Sequence, residues 1–145
     1  MRYRNAGTTP SGAASATYLP LGVLLGLLAH AADAATFRYA SSSNRIYVEN
    51  GGSATLSDIR AALPDAPLDL VNAAARIWLL RANLIISDGT TLYLRGTDAG
   101  GDVNELRLLS DNKSGGFIFV SAEHGNLHIE RTAITSWDRA AAGPA

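Results

Sequence analysis

The chain has 145 residues, room for one domain and too few for two ordinary ones, and its 47% apolar and 17% charged content excludes a disordered or fibrous polymer. Twelve Lys and Arg against thirteen Asp and Glu leave a net charge of -1, so no basic field holds a nucleic-acid backbone or an anionic membrane surface by bulk charge. Cysteine is absent, which removes disulfide staples, thiolate nucleophiles and zinc knuckles together.

Arg2 and Arg4 are the only charges before position 33, and they precede an apolar run of ten residues, Leu19 to Leu28. That is about half a membrane span. Ala32 and Ala34 supply the small residues a signal peptidase needs, so residues 1–34 read as an export signal cut after Ala34. A retained anchor is the alternative, but Pro20, Gly22 and Gly26 interrupt the run and no basic stop-transfer follows. The remaining 111 residues carry a net charge of -2 and are expected in a periplasm or outside the cell, without a membrane span. An exported domain of this size without cysteine fits a bacterial envelope.

Residues 35–54 read as an extended leader followed by a first strand, Arg45 to Glu49, which ends in the turn Asn50-Gly51-Gly52. Residues 55–75 hold one short helix and a linker. Thr55 with Asp58 three residues later forms a capping box, and Leu56, Ile59 and Leu63 form one apolar stripe before Pro64. Leu68 to Ala75 fits helix and irregular chain equally. From Arg76 to Asp138 the pattern becomes short β-type runs separated by Asp, Asn, Gly and Ser, and residues 139–145 form a tail.

Within 76–138 an apolar pair two residues apart recurs at Leu84/Ile86, Leu106/Leu108 and Leu127/Ile129, so the first members lie 22 and 21 residues apart. Self-similarity at such a period predicts an all-β right-handed parallel β-helix of about three coils, with Leu84, Leu106 and Leu127 in one interior column. A meander or sandwich with regular strand spacing is the competing reading. In the coiled arrangement the short helix caps the first coil, and the last coil needs a partner or further coils to cover it.

Arg76 to Ile86, Asp88 to Leu92, Glu105 to Ser110 and Thr135 to Asp138 resemble the N-terminal coils of exported parallel β-helix proteins of the pectate-lyase-like superfamily. Among these the chain is most similar to mannuronan C5-epimerase-like proteins, a resemblance that covers about Gly51 to Asp138. It implies a secreted protein associated with acidic polysaccharide such as uronate polymers. The Asp-Pro-His-Asp motif of the epimerases does not occur, so the resemblance implies a piece without the catalytic coils rather than an independent enzyme.

Stacking the three apolar pairs would place Arg107 and His128 about 5 Å apart on one exposed face, with Glu105 and Glu130 diagonal to them. Arg107, His128, Glu105 and Glu130 are therefore the candidate substrate-binding residues; a solvated face with cross-strand charge pairing is the plainer reading. His124 and His128 are four apart, but Gly125-Asn126 breaks any helix that would turn them into a metal pair, and no metal or other cofactor is expected. Asp98, Asp102 and Asp111 fit turn chemistry better than calcium binding. Trp78 and Trp137 sit in apolar runs, which favours packing over sugar stacking. Two functions follow: a part of an epimerase or lyase on acidic polysaccharide, or a non-catalytic glycan-binding or surface module.

Overall fold

The computed structural model describes residues 34–111, 116–138 and 140–144, and the run read as an export signal lies, but for Ala34, outside them. The chain forms β1 (Thr36–Ala40), β2 (Arg45–Glu49), β3 (Ser53–Ala54), α1 (Leu56–Ala62), β4 (Leu68–Asn72), β5 (Ile77–Leu80) and β6 (Asn83–Ile86). It continues through β7 (Thr91–Arg95), β8 (Glu105–Asp111), β9 (Gly116–Phe117), β10 (Val120–Ala122), β11 (Asn126–Glu130), β12 (Ala133–Asp138) and β13 (Gly143–Pro144). No described helix is long and apolar enough to cross a membrane.

The single right-handed parallel β-helix expected over residues 76–138 is not what forms. The strands make three separate open sheets, β1-β2-β6-β10, β11-β7-β3 and β13-β12-β8-β5-β4. The second is parallel throughout, and the other two are mixed, because β1 joins β2, β4 joins β5 and β13 joins β12 antiparallel. The all-β expectation holds only in this coarser sense, and the sheets already begin at β1.

The interior column drawn through Leu84, Leu106 and Leu127 is also corrected, since these residues lie on β6, β8 and β11 in three different sheets. The aligned residues are instead Ile46, Leu84 and Val120 in the first sheet, Ala54, Leu92 and Leu127 in the second, and Trp78, Leu106 and Ile134 in the third. The apolar pairs thus lie in three different sheets and not on successive strands of one sheet. Alternation along each strand turns Ile46, Val48, Leu84, Ile86, Leu92, Leu94, Trp78, Leu80 and Leu106 inward, all essentially buried in one shared cluster.

Three turns join the first sheet to the second, and each is led by a residue with positive φ: Asn50 (78°), Asp88 (52°) and His124 (63°). Asn, Asp and His are the side chains that tolerate this left-handed conformation best after glycine. Gly125 follows His124 because a Cβ there would fall 2.8 Å from the Ile86 carbonyl oxygen. Helix α1 begins as its sequence dictates. The Thr55 hydroxyl accepts from the Asp58 N–H at 3.2 Å, and the Asp58 carboxylate accepts from the Thr55 N–H at 2.9 Å. Leu56 and Ile59 are fully buried, with Leu63 packed beside them. Thr55→Ala is expected to cost about 1 kcal/mol, read as a lower urea midpoint with an unchanged circular dichroism spectrum; an unchanged midpoint would show that the cap contributes nothing.

The two ends of the sheets differ. β1 and β4 cover the outer edges of β2 and β5, whereas among the described residues no strand covers β10 or β11. On that side Ile129 is 48% and Ile134 40% exposed.

Candidate functional site

Side chains that alternate away from the core form the outer faces of the sheets, and on each of the three an arginine lies over an aromatic ring. Arg38 sits 3.9 Å from the centroid of Tyr47, Arg95 4.2 Å from Tyr93, and Arg107 3.6 Å from Trp137. Each arginine also meets a glutamate, Glu49, Glu130 and Glu105 respectively. The guanidinium plane is favoured at such places because it stacks on a ring and still presents donors at its edge.

On the third sheet the arrangement is closed. Arg107 donates through Nε to Glu105 Oε1 at 2.8 Å and through Nη2 to Oε2 at 3.1 Å, and the Thr135 hydroxyl donates to Glu105 Oε1 at 3.0 Å. Both charged side chains are about four-fifths covered. The hydrogen bonds from Arg107 hold the Glu105 carboxyl below the usual glutamate value of 4.5, with Thr135 assisting and partial burial opposing. Every donor of the fork facing Glu105 is engaged, so this cluster braces β8 against β12.

On the second sheet the arrangement is loose. His128 and Glu130 alternate outward on β11, directly across from Tyr93 and Arg95 on β7. The Tyr93 and His128 rings lie 5.3 Å apart at 50°. Glu130 Oε2 is 3.5 Å from both Arg95 Nε and His128 Nε2, and all three side chains are between 39% and 49% exposed. Arg95 Nε is covered yet finds no hydrogen-bond partner among the described residues. Arg81 Nε is unmatched in the same way. Thr91 and Asn126 extend the same outward row by one register position.

The four expected site residues therefore split into two pairs. Arg107 and Glu105 are together on β8, and His128 and Glu130 are together on β11, but Arg107 pairs in register with Leu79 and Thr135, not with His128. Tyr93 and Arg95 were missed, although their spacing on either side of the buried Leu94 places them on one outward face. Arg38 was missed because β1 read as a leader, and with it the partner of Tyr47, which lies on the expected strand β2. Trp78 is buried as expected, while Trp137 lies on the outer face under Arg107 rather than in the core.

His124 serves the turn described above. Asp98 lies in the short turn Thr97–Ala99, and the Asp102 carboxylate accepts from the Ser57 hydroxyl, both in keeping with turn and bracing chemistry. The side chain of Asp111 lies outside the described residues. Among the described residues no three His, Asp or Glu side chains converge on a point that would hold a metal ion. In comparisons with known proteins, no family model, curated protein or solved structure matches the chain.

Proposed function

We propose that this protein is an exported, non-catalytic module that binds acidic polysaccharide on the outer face of the β7-β11 sheet. The observation that carries the reading is Arg95, stacked on Tyr93 with a part-exposed guanidinium that meets Glu130 only at 3.5 Å, beside the half-exposed His128. A sugar carboxylate is a better acceptor for this guanidinium than Glu130, which is 3.5 Å away and poorly aligned. His128 donates to the same carboxylate or to a neighbouring hydroxyl, Tyr93 offers ring surface to the C–H face of a pyranose, and Thr91 and Asn126 supply polar contacts along the row. Five strand residues give the row a length of about 13 Å. The uronate class is taken from the resemblance of the β-runs between Arg76 and Asp138 to epimerase-like proteins, and export from the character of residues 1–34.

The non-catalytic part of the proposal has a geometric basis. Epimerisation needs a base and an acid on opposite faces of the sugar ring. Tyr93, Arg95, His128 and Glu130 all project from one side of a sheet and reach only one face of a bound sugar.

Titration of the ¹⁵N-labelled protein with oligomannuronate, against a neutral oligosaccharide of equal length, tests the reading. Shifts are expected for Tyr93, Arg95, His128 and their neighbours with the acidic ligand alone, and Arg95→Gln should weaken binding about tenfold. Absence of shifts at millimolar ligand, or shifts confined to other sheets, would refute the proposal. Formation of guluronate residues in the ligand would refute the non-catalytic assignment.

A further inference from the structure

Strand β11 is hydrogen-bonded to β7 on one side, and among the described residues nothing pairs with its other edge. A free edge of five residues is a template for another strand. Its inward side chains Leu127 and Ile129 leave apolar surface uncovered, and Ile129 is 48% exposed.

The sequence of β11, Asn126-Leu127-His128-Ile129-Glu130, keeps its alternation of polar and apolar positions when reversed about His128. In an antiparallel pair, residues directly opposite share a face, so a two-fold axis at His128 sets Leu127 against Ile129 of the second copy, and Ile129 against its Leu127. Both apolar contacts fall on the inner side. On the outer side the Asn126 amide meets the Glu130 carboxylate of the other copy, and this pairing also occurs twice. Asn126 is exposed and holds only a 3.5 Å contact to Thr91. Moving the axis by one residue in either direction removes two of the five positions from the pairing.

We infer that the occupant of this edge is a second copy of the chain, paired antiparallel through β11 about His128, which joins the two three-stranded parallel sheets into one of six strands. Self-matching of apolar positions, with amide facing carboxylate, is what an isologous contact requires and what an unrelated strand would not need. The β10 edge does not offer the same match, since its three residues Val120, Ser121 and Ala122 carry no complementary polar pair. The inference does not depend on glycan binding.

Sedimentation velocity of the full chain over a concentration series tests it. A concentration-dependent dimer is expected. Asn126→Asp, an exposed change that sets a new carboxylate against Glu130 of the other copy at both ends of the pairing, should weaken the dimer about tenfold. Combining Asn126→Asp with Glu130→Gln restores a carboxylate facing an amide with the polarity reversed, and should recover the dimer. Circular dichroism and unfolding midpoints of the variants report whether the fold is retained. A monomer at all concentrations up to the millimolar range would overturn the inference. So would a dimer indifferent to Asn126→Asp, which would place the contact on another face.

Discussion

Trp78→Ala is expected to lower the stability of the protein by about 3–5 kcal/mol, the range for removing a large aromatic from a packed core. Small domains hold roughly 5–15 kcal/mol in all, so the loss removes a large share of the stability of the fold. Trp78 is 1% exposed, and it is the largest fully buried side chain among the described residues. On β5 it lies opposite Leu70 of β4 and Leu106 of β8, and its indole Nε1 donates to the Asp102 carbonyl at 2.9 Å. The Asp102 carboxylate in turn accepts from Ser57 on α1, so Trp78 and Asp102 together link sheet, loop and helix. Trp78→Phe keeps most of the apolar volume and loses the hydrogen bond, with an expected cost of about 1–2 kcal/mol. Urea unfolding followed by circular dichroism separates the two variants. Equal midpoint shifts would mean that the indole N–H, and not the ring volume, sets the energy.

The alternation of apolar residues from Ile77 onward announced strands, and Thr55-Leu56-Ser57-Asp58 announced the start of α1, because both signals are local. Register between strands is not local. Every inner strand carries the same two-residue alternation, so apolar pairs recur at similar intervals whether they belong to one sheet or to neighbouring ones. The informative signal was at the turns. Asn50, Asp88 and His124 all need a left-handed backbone, and their intervals of 38 and 36 residues equal those from Ile46 to Leu84 to Val120 in the paired strands. β1 and β4 were obscured for a different reason. TFRYA and LDLVN bury only part of their side chains at the margin of the core, so the sequence shows weak contrast between their faces.

The site followed the same division. Glu105 and Arg107, two apart on one strand, were legible as neighbours, as were His128 and Glu130. Which strand lies beside each depended on the sheet assignment, and there the expected column through Arg107 and His128 failed. Tyr93 and Arg95 illustrate a signal present but unused: buried Leu92 and Leu94 flank Tyr93 and so assign it, with Arg95, to the outer face. The stack of Arg107 on Trp137 had no such signal, since it joins β8 to β12 across 30 residues of chain.

Arg107→Ala is expected to cost about 2–3 kcal/mol, because it removes two hydrogen bonds to a carboxylate together with a cation-ring contact. An exposed ion pair would contribute well under half of that. Arg107→Lys retains the charge without the planar fork and should fall between the two. The acid dependence gives a sharper test. Glu105 is held below the usual glutamate value of 4.5 mainly by hydrogen bonds from Arg107, so its native form resists protonation more than its unfolded form does. The stability this adds is complete above the unfolded value, near pH 4.5, and is lost as pH falls through the lowered native value. Glu105→Gln lacks that contribution at every pH. Urea midpoints of the two proteins should therefore differ most at neutral pH and draw together as the solution is taken below the usual glutamate range. A gap that stays constant through that range would mean that the ion pair and its hydrogen bonds do not set the charge state of Glu105, and that the cluster stabilises the sheet through the Trp137 stack alone.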